Sequence, residues 1–278
     1  MNNKRISVIT PSFNQGAFLE ATIESVIDQN YQNLEYIVID GGSSDTSVSI
    51  IKKYENRLAY WVSEKDNGQT DAVNKGIERA SGDIIGWLNS DDVYVGCCLH
   101  RAMEYFNQCP EVDIVFSDYF FIDEAGKIIK LRKEIPFNFN VYLWTEDCYH
   151  ANCAGFFRRR VFDKVGKLDD TLNYGMDYEF YMRCAKAGLS FGHSRDCWGA
   201  YRLHAQSKSV SLYEWMRMEG QDIAKHYQLS DISTMGRWSR RQLYALYRMT
   251  CKFMIGSYFR SSAFRGKHIK AVDSYSMP

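Results

Sequence analysis

The sequence has few prolines, no closely spaced cysteine pair of the Cys-x-x-Cys type and no apolar run long enough to span a membrane. Only four of its 278 residues are proline, and no apolar run approaches the about 20 residues of a spanning helix. None of the eight cysteines belongs to a Cys-x-x-Cys pair, which argues against zinc-binding and redox motifs. The start of the chain shows no secretory signal. We therefore expect an intracellular protein whose cysteines are reduced core residues.

Two phosphate-binding signatures are also missing. No Gly-x-Gly-x-x-Gly follows the first apolar segment, and no Gly-x-x-x-x-Gly-Lys-Ser/Thr occurs. The first absence argues against an ordinary dinucleotide-binding site, and the second against a P-loop nucleotidase. A nucleotide would have to be held in another way.

Acidic residues are absent from one region. The chain has 34 basic and 34 acidic residues, yet residues 237–270 contain nine Lys or Arg and no Asp or Glu. The remainder is therefore acidic, and we expect the acidic body and the basic C-terminal region to have different roles. We expect no nucleic-acid partner.

The first ninety residues alternate between two periodicities. Short apolar runs predict strands at residues 6–10, 34–39, 58–62 and 84–88. Helical spacing predicts helices between them, at residues 18–27, about 46–54 and 69–79. This alternation predicts a mainly parallel sheet with helices on its faces, with ligands bound beyond the carboxyl ends of its strands.

The second half of the chain is less regular. Strands are predicted at residues 113–118, 128–131, 153–157 and 198–203, and helices at 160–165, 176–187, 211–227 and 235–259. The aromatic stretch 136–150 is predicted to be irregular. A basic amphipathic helix follows from residues 237–253. Its basic side consists of Arg237, Arg240, Arg241, Arg248 and Lys252, and its apolar side of Trp238, Leu246, Met249 and Phe253, with Leu243 and Met254 nearby.

Carboxylates follow several of the predicted strands. Asp40 could accept a hydrogen bond from a nucleotide base or a ribose, or it could cap the next helix. The adjacent Asp91 and Asp92 suit a hard divalent cation such as Mg²⁺ or Mn²⁺, or could cap a helix that starts near Val95.

Six segments, in this order and spacing, resemble the family-two inverting glycosyltransferases with the GT-A fold. They are Pro-Ser-Phe-Asn at 11–14, Val-Ile-Asp-Gly-Gly-Ser-Ser-Asp-Thr at 38–46, Lys-Asp-Asn-Gly-Gln-Thr-Asp-Ala-Val-Asn-Lys-Gly at 65–76, Leu-Asn-Ser-Asp-Asp at 88–92, Cys-Ala-Gly-Phe-Phe-Arg-Arg at 153–159 and Gly-Met-Asp-Tyr-Glu-Phe-Tyr-Met-Arg at 175–183. Tyr-Arg-Leu-His at 201–204 and Ser207 resemble the family's closing segment. The resemblance implies a Rossmann-like α/β domain at residues 1–210, with a nucleotide-sugar half (1–110) and an acceptor half (111–210). Residues 211–278 would form a helical basic extension.

The resemblance also implies roles for single residues. The nucleotide-sugar would contact Pro11, Ser12, Asn14, Asp40, Asp66, Asp71, Lys75 and Asp91. A divalent metal, Mn²⁺ or Mg²⁺, would be held by Asp92, Asp91 and His204, although a histidine at such a position is often structural. Asn89 stands where relatives often have Asp, which makes it a poor ligand candidate.

Asp177 matches the family's catalytic base, which would accept the proton of the attacking hydroxyl. The alternative is an acidic residue that stabilises the N-terminus of its helix. Glu179 would point elsewhere on that helix. The acceptor pocket would involve His150, Trp144 and Tyr174, with Tyr149 nearby, although aromatic residues suit an ordinary core equally well.

For the basic helix the sequence leaves two readings open. It could lie in a membrane interface over residues 237–260, or pack on the body with its basic face in solvent. Thr234 stands three residues before Arg237-Trp238, so the Gln-x-x-Arg-Trp signature of processive members is missing. The family resemblance then favours single-sugar transfer.

We therefore expect a metal-dependent inverting transferase that moves one sugar from a nucleotide-sugar, most often a UDP-sugar, to a lipid-linked glycan acceptor. Such an enzyme would be cytoplasmic, or peripheral on the inner face of a bacterial membrane, and would serve a surface polysaccharide such as O-antigen lipopolysaccharide or capsule. The alternatives are a non-catalytic sugar- or membrane-binding subunit and a glycoside hydrolase with two carboxylates.

Overall fold

The computed structural model describes residues 4–208, 212–228, 233–258 and 264–272. Within them lie nine strands: β1 (Ile6–Ser12), β2 (Leu34–Asp40), β3 (Tyr60–Ser63), β4 (Ile84–Trp87), β5 (Val93–Tyr94), β6 (Ile114–Ile122), β7 (Ile128–Arg132), β8 (Gly155–Arg158) and β9 (Phe191–Arg202). The α-helices of the same residues are α1 (Leu19–Ile27), α2 (Ser47–Lys53), α3 (Gln69–Arg79), α4 (Cys98–Gln108), α5 (Phe139–Thr145), α6 (Arg159–Val165), α7 (Met176–Lys186), α8 (Tyr213–Tyr227) and α9 (Thr234–Met254).

The first four strands form the parallel half of one sheet, in the order β3-β2-β1-β4. The alternation of strands and helices predicted this arrangement, and the prediction is confirmed. All of β1 is buried, because apolar clusters that include residues of α1 and α4 on one side and of α3 and α7 on the other enclose the sheet. Pro11 and Ser12, expected in a turn, still belong to β1 and pair in register with Ile39 and Asp40.

The second half of the chain continues the same sheet in mixed orientation. β8 is antiparallel to both β4 and β6, and β6 then pairs in parallel with β9. The short β5 adds to β9, and β7 forms a hairpin with β6. The sheet therefore joins the two halves through β4 and β8, next to the strand end that carries Asp91 and Asp92.

Two sequence-based assignments were wrong. The stretch expected to be irregular contains α5, whose N-cap Asn138 accepts a hydrogen bond from the Val141 amide at 3.1 Å. Four consecutive residues of α5 are buried, so no amphipathic pattern marks it. Strand β9 begins at Phe191, seven residues before the predicted start. Its early residues include Ser194, Arg195 and Asp196, which pattern reading does not assign to a strand, and the strand is defined there by backbone pairing with β6.

The C-terminal half of helix α9 packs on the body through Arg248 and Lys252, whereas Arg237, Arg240 and Arg241 of the same basic side are exposed. Arg248 donates hydrogen bonds to both carboxylate oxygens of Glu134 at 3.2 Å and also pairs with Asp147. Lys252 reaches Glu134 at 2.7 Å. The opposite, apolar face is left outward: Trp238, Leu243, Leu246, Met249, Phe253 and Met254 are all more than half exposed.

Residues beyond α9 also contact the body. Phe264, Ile269 and Val272 pack in one apolar cluster with residues of β6 and β7. A backbone bridge joins Lys127 to His268. The extension is therefore attached by apolar contacts as well as by charge. Among the helices of the described residues, none combines the length and hydropathy that crossing a bilayer requires.

The buried Glu134 carboxylate is expected to hold α9 in place. It is inaccessible to solvent and pairs with Arg132, Arg248 and Lys252. Glu134→Gln would leave these cations without their shared anion, which we expect to cost about 3–5 kcal/mol of unfolding free energy. Urea unfolding and hydrogen exchange across α9 measure this. The exposed Glu124→Gln serves as control, and unchanged exchange in α9 would contradict the assignment.

Candidate functional site

The carboxyl ends of the parallel strands gather polar loops along one edge of the sheet. Ser12 ends β1 and Asp40 ends β2, and the two pair in register. Asp66 follows β3 by three residues, and Asp91 and Asp92 follow β4. Because β1 lies between β2 and β4, one strand separates the Asp40 loop from the Asp91–Asp92 loop.

Asp40 is fully buried and shapes the loop that follows it. Its carboxylate accepts hydrogen bonds from the amides of Gly42 and Ser43, at 3.2 and 2.9 Å. The hydroxyls of Ser43 and Ser63 also donate to it, at 2.6 and 2.7 Å. These four bonds fix the glycine-containing turn against β3. In this conformation the carboxylate points into the loop.

Asn14 links the loop after β1 to the loop after β2. Its backbone is left-handed, with φ of 52°, which asparagine tolerates better than most residues. The Asn14 side-chain oxygen accepts from the Ser44 backbone amide at 2.9 Å, while the Asn14 backbone amide donates to the Ser43 hydroxyl at 2.8 Å. The neighbouring Ser12 hydroxyl is buried and has no hydrogen-bond partner within the described chain. The result is a rigid rim with one unused polar group.

Asp66 lies directly over the backbone of Gly41. A Cβ atom at Gly41 would come within 2.6 Å of the Asp66 carboxylate, so only glycine allows this approach. The Gly68 amide donates to Asp66 at 2.9 Å, and burial raises the pKa of the carboxyl. On α3, the partly buried Lys75 reaches Asp71 at 3.5 Å. The residues expected to contact the nucleotide thus line adjoining loops.

Asp92 carries an unsatisfied buried oxygen. One carboxylate oxygen accepts from the Arg202 amide at 2.9 Å, while the other is buried without a partner in the described residues. Burial, followed by repulsion from Asp91, raises the pKa of this carboxyl well above its usual range. Asp91 is partly exposed, and His204 Nε2 lies 3.0 Å from its Oδ2. Phe18 packs on the His204 ring, with centroids 4.6 Å apart.

These donors suit a metal site in which the protein supplies only a few of the ligands. Within the described ranges no three His, Cys, Asp or Glu side chains converge in the manner of a protein-only metal cage. The orphaned Asp92 oxygen and the neighbouring Asp91 are hard donors, and Mg²⁺ commonly takes one or two carboxylates plus phosphate oxygens. The side-chain oxygen of Asn89 is occupied, since it accepts from Trp87 and Gln69, each at 2.9 Å, and the Asn89 side chain lowers the pKa of the neighbouring Asp92.

Asp177 is the second residue of α7. Its carboxylate accepts from the Tyr178 amide at 2.7 Å and from the Asn152 side chain at 3.4 Å. Burial raises its pKa, and the cation Lys208 acts in the opposite direction. Sequence reasoning missed Asn152 and Lys208. Asn152 immediately precedes the Cys-Ala-Gly segment and Lys208 follows Ser207, so adjacency to these motifs was the one available signal.

Glu219 of α8 holds the loop that precedes Asp177, a role that sequence reasoning also missed. Its carboxylate accepts from the amides of Asn173, Tyr174 and Gly175 at 3.1, 2.7 and 2.5 Å. A side chain at Gly175 would meet Ile223 at 2.7 Å, so α8 also packs tightly there. The helix that follows residue 210 therefore positions the start of α7.

The residues predicted for an acceptor pocket differ in their exposure to solvent. His150 is buried: its ring nitrogens pair with the Tyr142 hydroxyl and the Ile135 carbonyl, and its ring stacks on Phe116. Trp144 is also buried, with Arg240 against its ring. Both are packing residues here. Tyr174 alone is partly exposed, in the loop before Asp177.

The donor-side and Asp177-side groups meet at a single short turn. Asn152 of the 3₁₀ turn Asn152–Ala154 hydrogen-bonds Asp177. The same turn contacts strands β4 and β5, and Asp92 lies in the loop that joins these two strands. Asp177 and the loop that carries Asp92 therefore lie next to the same turn, although 85 positions separate the two aspartates in the sequence.

The chain is similar to known proteins in both sequence and fold. The model of glycosyl transferase family 2 matches residues 7–166. The chain belongs to this family. An uncharacterised glycosyltransferase of Mycobacterium tuberculosis is 36% identical over 182 residues, which span 65% of this chain and 68% of the relative. Another from Methanocaldococcus jannaschii is 25% identical over 237 residues, or 82% and 79% of the two chains.

Solved structures establish the fold of this family 2 glycosyltransferase as GT-A. Staphylococcus aureus TarS 1–349 in complex with UDP-GlcNAc has a TM-score of 0.61 at 16% identity, covering 92% of this chain and 76% of TarS. The mannosyltransferase PcManGT of Pyrobaculum calidifontis, in complex with GDP-Man and Mn²⁺, has the same TM-score and identity, covering 91% and 76%. The predicted fold class and the assignment as a glycosyltransferase enzyme are confirmed.

Proposed function

We propose that this glycosyltransferase moves a single sugar, with inversion, from a nucleotide-diphosphate sugar to a glycan acceptor. The observation that carries the proposal is the turn Asn152–Ala154, which hydrogen-bonds Asp177 and contacts β4 and β5, the strands joined by the Asp92 loop. Inversion is a single displacement, which requires a donor-binding group and a base on opposite sides of the reacting carbon. The donor half would be residues 1–110 and the acceptor half residues 111–210.

The donor is proposed to lie against the loops after β1, β2 and β3. Pro11, Ser12 and Asn14 form one wall there, while Asp40, Asp66, Asp71 and Lys75 follow on the neighbouring loops. The buried Ser12 hydroxyl has no partner in the described chain and would gain one from a ligand bound at this edge. We favour a UDP-sugar, which is supported by the UDP-GlcNAc complex of TarS, while PcManGT shows that this fold also accepts GDP-Man.

A divalent ion, Mn²⁺ or Mg²⁺, is proposed to bind at Asp92 and Asp91, with His204 next to them. When bound, it would neutralise the charge that develops on the departing diphosphate. Arg202 keeps the Asp92 carboxylate and the Asp91 backbone in place, since its backbone amide donates to Asp92 Oδ1 and its Nε donates to the Asp91 carbonyl. Asp177 would accept the proton of the attacking hydroxyl, and Asn152 and the Tyr178 amide orient it.

A donor panel tests this function. We expect one UDP- or GDP-sugar to be bound and slowly hydrolysed by the full chain in the presence of Mn²⁺, with no turnover in EDTA. Mass spectrometry would identify the product, and the anomeric configuration would be read by NMR. Absence of binding to every nucleotide-sugar, or turnover that is independent of metal, would contradict the proposal.

The acceptor is proposed to be a lipid-linked oligosaccharide of a bacterial surface polysaccharide, reached at the inner face of the membrane. The support is the outward apolar face of α9, which contains Trp238, Leu246 and Phe253 within a region rich in Lys and Arg. Aromatic and cationic side chains together favour an anionic lipid interface. Peripheral contact over residues 237–260 would bring the acceptor half to the membrane.

Liposome flotation tests the membrane contact. Replacing Trp238, Leu246 and Phe253 by Ser removes three exposed apolar side chains. We expect the variant to lose most of its binding to anionic vesicles and to keep its fold, because these side chains face outward. Phe13→Ser, at an exposed position in the donor loops, is the matched control. Equal flotation of wild type and the triple variant would remove this part of the proposal.

A further inference from the structure

A polar cavity whose lining includes none of the proposed transfer-site residues lies between β7, α5 and α9. Its volume is about 480 Å³. Five cationic side chains line it: Lys130, Arg132, Arg241, Arg248 and Lys252. The lining contains one carboxylate, Asp147. Such an excess of cations around one cavity favours an anionic ligand.

The walls of this cavity are held by buried ion pairs, so its shape does not depend on a ligand. Glu134 lies behind the wall and pairs with Arg132, Arg248 and Lys252. Lys130 makes no ion pair within the described residues, and Arg241 has only a 3.9 Å contact with Glu146. Arg248 Nε is buried without a hydrogen-bond partner in the described chain. Donors therefore remain available in the cavity after the internal pairs are made.

The cavity opens beside the outward apolar face of α9. Met249 and Tyr258 both line it, and both are about half exposed. On the other side the cavity is lined by Thr145 of α5, a helix that packs against α7, which carries Asp177. The cavity thus lies between the proposed membrane-facing surface and the acceptor side of the transferase.

We propose that this cavity binds a phosphate or diphosphate group. Guanidinium and ammonium groups on several walls match the multiple oxygens of such an anion. The group could belong to a lipid headgroup, with the apolar part on α9, or to a soluble phosphate compound. The proposal deepens the proposed membrane contact and does not depend on sugar transfer.

Asp147 offers a substitution that should strengthen anion binding instead of weakening it. It is the one acidic residue of the lining and pairs with Arg248, so a bound anion must compete with it. Asp147→Asn should tighten anion binding, whereas Lys130→Ala with Arg241→Ala should weaken it. Neither change removes a partner of the buried Glu134. A purely structural role for the cluster would not produce opposite shifts.

Inorganic pyrophosphate is the first probe, titrated into the full chain by calorimetry at low salt and in EDTA, which suppresses metal-dependent binding at the donor site. We expect the Lys130→Ala/Arg241→Ala variant to bind about tenfold more weakly and Asp147→Asn several-fold more tightly. The control is Lys225→Ala/Arg237→Ala, which removes two exposed cations that do not line the cavity. Thermal unfolding of each variant verifies its fold.

Vesicles distinguish the two sources of the anion. Phosphatidylcholine vesicles with and without phosphatidic acid are floated with the same variants. A lipid headgroup is identified if vesicle binding requires phosphatidic acid and is competed by pyrophosphate. The variants should then rank in vesicle binding as they rank in pyrophosphate affinity. Pyrophosphate binding with no such lipid dependence identifies a soluble phosphate compound.

Two results would overturn the proposal. One is the absence of both pyrophosphate binding and phosphatidic acid dependence in the wild type. The other is equal weakening in the cavity variant and the control, which would indicate general surface charge. Donor hydrolysis by the same variants is measured in parallel. Because the cavity lies outside the transfer site, we expect hydrolysis to be unchanged, so the two proposals can fail independently.

Discussion

Asp177→Asn is expected to lower the turnover number by about 10²–10⁴-fold while leaving donor affinity unchanged. The asparagine oxygen can still accept from the Tyr178 amide, so the start of α7 should keep its geometry. What is lost is the ability to take a proton from the attacking hydroxyl. Steady-state kinetics gives the turnover number, and calorimetry with the donor nucleotide gives the affinity. Lost nucleotide binding would mean that Asp177 belongs to the donor site.

The exposed Asp170→Asn, seven residues earlier, is the matched control and should retain wild-type turnover. The pH dependence adds an independent check. Because burial raises the pKa of Asp177, the rate should fall with decreasing pH at a point above the about 3.9 of an ordinary aspartate. Lys208 lowers that pKa, so Lys208→Met should move the acidic limb to higher pH. An acidic limb that Lys208→Met leaves unchanged would show that Lys208 does not influence the pKa of Asp177 during turnover.

The donor half of the fold could be predicted because each element there carries a local signal. Apolar runs of strand length alternate with helical periodicity up to residue 88, and the four parallel strands follow from that alternation. The acceptor half carries weaker signals. Helix α5 has four consecutive buried residues and strand β9 begins among polar residues, so neither shows an amphipathic pattern. Their structure comes from contacts with distant parts of the chain.

The orientation of α9 also could not be predicted from the local sequence. Its basic and apolar faces could be read from the sequence, but a helical wheel does not tell which face meets the body. That choice depends on Glu134, a buried carboxylate more than one hundred residues earlier. Placing Arg248 and Lys252 against it satisfies a charge that would be costly to bury alone. The apolar face is consequently left outward, as an interfacial role would require.

The candidate site divides along similar lines. Asp91, Asp92 and Asp177 were found because they stand in recognisable segments. The groups that orient them, Arg202, Asn152 and Glu219, act through hydrogen bonds between segments far apart in sequence. His150 and Trp144 illustrate the converse: aromatic composition suggested a pocket, whereas burial in the structure gives them packing roles.

Asp92→Asn should abolish measurable transfer and at the same time stabilise the metal-free protein. Asp92 is buried with one unpartnered oxygen and lies beside a second carboxylate, so its charge is a cost to the fold. Asparagine keeps the acceptor for the Arg202 amide and removes that charge. We expect turnover to fall by at least about 10³-fold, the scale of several kcal/mol of metal assistance. We also expect the melting temperature in EDTA to rise.

Ligand addition should reverse the order of stability. Mn²⁺ with UDP should raise the melting temperature of the wild type, because a ligand that binds the folded state stabilises it. It should have little effect on Asp92→Asn. Asp91→Asn is the informative comparison: Asp91 is partly exposed and paired with His204, so its replacement should stabilise the metal-free protein less. A metal-free melting temperature that falls on Asp92→Asn would show that the carboxylate is structural. A buried charge that destabilises the empty fold and is needed for turnover is what a metal-binding role requires.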